Sequence, residues 1–213
     1  MSRSETSAGA PPASSEREIT ELNARGLELL QCAVRSGDVR QPELVGGCPE
    51  RWSQLDAAAL ARLAAVPLVL FDAGFDQAGR WAPIDVVRDG QGGIPHERCT
   101  SLFGVGEGSA FVRTVFAYAW HLSRARPLDC AVVFGMRASA ASGLATLSLS
   151  EVDAIATTNP HWLQLRWHDD PGCWQRLLAL ASRTSAAPAD ELRLRTVQQL
   201  AGSMWCARLA AAG

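Results

Sequence analysis

Slid against itself by 92 residues, the chain aligns Leu55–Asp76 with Leu147–His168 without a gap. Leu55 falls on Leu147, Leu60 on Val152, Leu63 on Ile155 and Ala64 on Ala156. Phe71 then meets Leu163, Ala73 meets Leu165 and Phe75 meets Trp167, while upstream Trp52 meets Leu144. A shift of one residue also matches Ile19 with Val112, Leu22 with Val115, Gly26 with Ala119 and Leu29 with Leu122. Two amphipathic helices align at some offset in any chain. A helix, a breaker (Pro67 against Asn159-Pro160) and an alternating run in the same order constrain far more. The pattern reads as a duplication: a fused pseudo-dimer, in which each half covers apolar surface that the other cannot bury alone.

Helical periodicity dominates the rest. Ile19, Leu22, Gly26, Leu29, Leu30, Ala33 and Val34 share one helical face, which Gly37-Asp38 and Pro42 stop. Asp56 caps a second helix to about Ala65, and Leu68 to Phe71 is a short apolar run suited to an extended segment. Ser109 is placed to cap an apolar helix from Ala110 to Arg124, and further helices are expected at 129–135, 138–146, 149–158, 171–184 and 189–209. His161 to Trp167 alternates. The polar, Pro- and Ser-rich residues 1–18 read as a disordered tail, 19–88 as a first module, the breaker-rich 89–109 as a Gly-rich connector, and 110–209 as a second module. The fold class is all-α.

Composition removes whole classes of chemistry. All 20 basic residues are arginine, so a Walker A loop, a Schiff-base lysine and a Ser-Lys pair are excluded. A net charge of −2 argues against nucleic-acid binding by charge alone. No run reaches the length of a membrane span, and the N-terminus has no apolar signal core. A cytoplasmic protein without membrane insertion is therefore expected. The six cysteines are scattered with no C-x-x-C pair, which fits buried thiols better than structural zinc.

The second half resembles the flagellar transcriptional regulator FlhD family. The resemblance lies in Phe134-Gly135-Met136, in Gly143-Leu144-Ala145-Thr146-Leu147-Ser148-Leu149-Ser150, in Ile155-Ala156-Thr157-Thr158-Asn159 and in Leu165-Arg166-Trp167. It covers roughly 110–208, and through the repeat 19–85 becomes a divergent second copy. Trp162, Trp174 and Pro160 have no place in the family's pattern, and its members are about half as long. The resemblance implies an all-helical oligomer that joins a zinc-binding, FlhC-like subunit to regulate flagellar and motility genes, with much of the DNA contact left to that partner.

The remaining constellations are weak. Ser148 to Thr158 has the outline of a recognition helix, but Glu151 and Asp153 at its start would repel phosphates. Ser150 and Asp153 have capping-box spacing. Gly104-x-Gly106-x-Gly108 lacks both the Rossmann spacing and a surrounding βαβ unit. His96-Glu97-Arg98-Cys99 and His168-Asp169-Asp170 lack the i, i+4 spacing of helical metal ligands. No catalytic residues, metal or cofactor are assigned, and the chain is read as a non-enzyme.

Tryptophans near predicted breaks supply the binding candidates, because partly exposed aromatics anchor interfaces. Trp162, Arg166, Trp167 and Trp174 are assigned to partner contact. Arg124, Arg126 and Arg137 are assigned to a DNA-proximal face, although solvated helix surfaces account for such arginines equally well. The expected function is a cytoplasmic regulator working through protein–protein contact, with DNA reached only through a partner, as a monomeric pseudo-dimer or a homodimer. The alternative is a structural accessory or chaperone of a flagellar or type III secretion apparatus, whose partner is a secretion-system component.

Overall fold

The computed structural model describes residues 13–38, 45, 47–81, 102–103, 106–183 and 188–210. Among them are nine α-helices, two 3-10 turns and one pair of two-residue strands, so the architecture is mostly helical. In chain order these are α1 (Ala13–Ser36), α2 (Pro49–Gln54), α3 (Ala57–Ala64), β1 (Phe71–Asp72), a 3-10 turn (Ala78–Trp81), α4 (Glu107–Ala125), α5 (Pro127–Val133) and α6 (Ala138–Thr146). Then come α7 (Leu149–Thr158), a 3-10 turn (Pro160–Trp162), β2 (Gln164–Leu165), α8 (Pro171–Ala181) and α9 (Pro188–Ala210).

Two boundaries differ from those expected of the sequence. Helix α1 starts at Ala13, so residues 13–18 of the expected tail are helical, and the rest of that tail lies outside the described residues. Helix α4 starts at Glu107 with Gly106 at its N-cap, which puts Ser109 inside the first turn instead of capping it. Most of the expected connector, including His96 to Cys99 and Gly104, also lies outside the described residues.

Helix α1 buries Ile19, Leu22, Leu27 and Leu30 at helical spacing, and it ends where Gly37 and Asp38 bond back to the carbonyls of Val34 and Ala33. Gly26 lies where this helix meets two rings. A Cβ there would approach Phe71 to 2.3 Å and Phe111 to 2.4 Å, so only glycine admits the contact. Two buried amides tie α1 to the α2–α3 corner and to β1. Asn23 donates to Ala64 O and Leu68 O and accepts from Leu70 N, fixing the path into β1. Gln31 donates to Trp52 O and Leu55 O, fixing the corner between α2 and α3. Each satisfies carbonyls that the short helices leave free.

That corner has a counterpart 92 residues later. Leu55 and Leu147 are both extended, with φ −65 and −69, and their N–H groups donate to Trp52 O and Leu144 O, each at 3.3 Å. The next residues, Asp56 and Ser148, are both N-caps, accepting from Ala59 N and Glu151 N. Where Gln31 grips Leu55 O, Trp120 Nε1 of α4 donates to Leu147 O. Helix α1 packs on α2 and α3 as α4 packs on α6 and α7.

From the strands onward the spacing becomes 93, a one-residue correction to the pairing read from the sequence. Strand β1 runs antiparallel to β2, with Phe71 opposite Leu165 and Asp72 opposite Gln164. Gly74 and Trp167 both take positive φ, at 68 and 55. Trp81 and Trp174 lie seven residues beyond them. Trp174 Nε1 donates to Arg166 O, whereas at the matching place Ala73 O is taken by Arg80, and the buried Trp81 Nε1 has no hydrogen-bond partner among the described residues.

One apolar cluster runs through both halves. Trp52 meets Trp174 at 5.2 Å, Phe75 meets Phe134 at 4.9 Å and Phe71 meets Phe111 at 5.1 Å, spacings that suit offset and edge contacts. Backbone bonds cross the same seam, from Val69 N to Val133 O and from Arg166 N to Leu70 O.

Candidate protein-docking surface

The arginines that the sequence singles out flank α5 in the chain. Arg124 ends α4 and lies 4.9 Å over the Trp120 ring. Arg126 is the corner residue and pairs with Asp129 at 3.4 Å. Pro127 supplies the preset φ of the first helical position, and Asp129 favours the same helix end by its charge. The exposed Arg137 precedes α6.

A helix of seven residues cannot bury all its apolar side chains. Helix α5 turns Cys130 and Val133 inward and leaves Leu128 85% and Val132 57% exposed. Four residues apart, these two share one face, and they stand out from the described surface with Leu149 on α7 and Leu194 and Val197 on α9. An exposed apolar pair suits a partner that brings apolar anchors of its own. Sequence reasoning missed Leu128 and Val132. The available signal was five apolar positions in Pro127-Leu128-Asp129-Cys130-Ala131-Val132-Val133, more than a two-turn helix can cover.

The structure places the four aromatic-cluster candidates mostly inside. Trp174 is fully buried, and Trp167 and Arg166 keep only 9% and 6% exposure. Only Trp162 retains substantial surface, with Trp81 edge-on at 6.2 Å and the Arg80 guanidinium 4.8 Å over its ring. For Arg166, Trp167 and Trp174 the expected contact surface is therefore corrected to a buried seam: β1 covers one edge of β2, while α8 brings Trp174 against the carbonyl of Arg166. Arg166 is buried with no hydrogen bond at Nε or Nη2. Burial lowers its pKa, and the charges of Asp72 and Asp76 oppose that shift.

The other chemistry-bearing groups are committed to structure. Burial pushes the thiols of Cys48 and Cys130 up, and that of Cys173 to about 12, so none is an activated nucleophile. His168 Nδ1 lies 3.1 Å from Leu165 O. Gly108 packs against Phe103 at the start of α4. Among the described residues no three metal-binding side chains gather, and no helix is long and apolar enough to cross a membrane. The capping box of α7 is Ser148 with Glu151, two residues before the expected Ser150 and Asp153. Arg113 pairs with Asp153, which ties α7 to α4.

Comparison with protein-family models, with curated proteins and with solved structures finds no match.

Proposed function

We propose that the chain is an internal pseudo-dimer of two FlhD-like modules, acting in the cytoplasm as a non-enzymatic regulator through protein–protein contact. The pseudo-dimer reading rests on the pairing of β1 with β2. At a spacing of 93, Phe71 corresponds to Gln164 and Asp72 to Leu165. The observed partners, Phe71 with Leu165 and Asp72 with Gln164, are then those that a two-fold axis between the strands requires. The recurring Leu-cap corners support the same reading.

The functional reading is carried by the exposed Leu128–Val132 pair of α5. This surface is offered to a protein subunit of the FlhC type, and DNA is reached through that subunit. The test is coexpression with an FlhC-type subunit, then size-exclusion chromatography and a promoter-DNA mobility shift. The wild-type chain is expected to form the complex and shift DNA only with the subunit. The L128E/V132E variant, with unchanged melting, is expected to lose both. Failure of the wild type to associate, or retention of binding by the variant, overturns the reading.

A further inference from the structure

A groove of about 470 Å³ lies between α1 and α4. Leu22, Ala110, Phe111 and Thr114 form much of its lining, and Glu18 and Tyr118 bring oxygen to it. The Tyr118 ring packs 5.8 Å from Phe134. Its hydroxyl is buried and makes no well-aligned hydrogen bond among the described residues. The Glu18 carboxylate is close enough to raise the pKa of that hydroxyl both through its charge and as a hydrogen-bond acceptor.

The charges around the groove do not cancel evenly. Glu21 is matched by Arg17 at 2.9 Å and Arg25 by Glu107 at 3.4 Å, whereas Glu18 is in no ion pair among the described residues. A carboxylate and a buried phenol oxygen thus face an apolar trough. Its volume falls within the range of about 300–1,000 Å³ typical of small-molecule sites.

We propose that this groove binds a small apolar cation, a primary alkylammonium. The ammonium donates to the Glu18 carboxylate and to a lone pair of the Tyr118 oxygen, whose own O–H stays directed at Glu18. The alkyl chain lies on Leu22 and Phe111, displacing water from apolar surface. Neither an alcohol nor a fatty carboxylate of the same length matches this arrangement. The alcohol brings no charge to Glu18, and the carboxylate is repelled by it.

Tyr118 is the only tyrosine of the chain, so 3-fluorotyrosine labelling of the full-length protein yields a single fluorine resonance at the site. The probes are n-hexylammonium, 1-hexanol and hexanoate. Hexylammonium is expected to move the resonance saturably, hexanol to bind at least about ten-fold more weakly, and hexanoate to leave it in place. E18Q is expected to weaken hexylammonium about ten-fold. A110L, a change at an exposed position, is expected to fill the trough and abolish the response without altering the melting temperature. A stationary resonance with hexylammonium, equal affinity for hexanol, or an unchanged response in E18Q or A110L overturns the proposal.

Discussion

Arg166 is the least accommodated side chain among the described residues. It is buried, two of its three nitrogens lack hydrogen bonds, and no carboxylate lies at ion-pair distance. The nearby Asp72 commits Oδ1 to Gly74 N and Phe75 N, both at 3.1 Å. A buried ion is costly to desolvate, and an apolar residue of similar shape often serves better. R166M is therefore expected to leave stability unchanged or to raise it by up to about 4 kcal/mol in urea denaturation. A loss of about 3 kcal/mol or more would instead show a well-compensated guanidinium. Nothing in Leu165-Arg166-Trp167 announces this burial. An arginine between alternating apolar residues normally faces water, and here the covering comes from β1 and α8, which are distant or opposite in the alternation. Tyr118 gives a second residue-scale prediction. Burial, then the charge of Glu18 and its hydrogen bond, raise its pKa from 10.0 to about 12. The folded chain thus keeps a proton that the unfolded chain loses, so stability declines as pH rises from 10 toward 12. Absorbance at 295 nm, where this single phenol ionises, is expected to titrate near 12 in the folded protein and near 10 in urea.

At the scale of elements, the helices were largely legible and their ends less so. The stretches 138–146 and 149–158 are helical as their periodicity implies, and Asp56 caps α3 as expected. The start of α7 was ambiguous because Ser148-Leu149-Ser150-Glu151-Val152-Asp153 contains two overlapping capping frames. Tertiary structure selects between them. Leu147 is buried and bonds back to Leu144 O, so Ser148 becomes the first residue able to cap the new helix. S148A is accordingly expected to lose about 1 kcal/mol, as is D56A at the corresponding corner, while S150A stays within about 0.5 kcal/mol. Chemical denaturation of the three variants distinguishes the frames: a larger loss from S150A than from S148A would place the cap where the sequence alone suggested it. Helix α5 illustrates the converse. Its existence can be read from Pro127 and its apolar content, but which of its apolar residues remain uncovered depends on α4 and α6 packing over one face only.

The whole molecule depends on a seam that the sequence could suggest only as a repeat. Matching Phe71 with Leu163 overlooked one added residue between Ser148 and β2: α7 is two residues longer than α3, and the link to β2, with its 3-10 turn at Pro160–Trp162, is one shorter. The contacts across the seam are extensive in kind: the strand pair, two further backbone hydrogen bonds, the Trp52–Trp174 and Phe75–Phe134 rings, and Arg62 Nε donating to Ala181 O. Halves joined in this way should hold together without the peptide connection between them. A protease site inserted between Gly92 and Gly93, cleaved after folding, tests this directly. The two pieces are expected to co-elute at the size of the intact chain. Their melting temperature should fall on dilution, because cutting the connector turns an intramolecular association into a bimolecular one. W174A, which removes one ring of the seam, should separate the cut pieces at concentrations where the otherwise wild-type pieces remain paired. Two independently folded halves would behave differently: they would part on cleavage at any concentration, each retaining its own melting transition, and W174A would destabilise only the second.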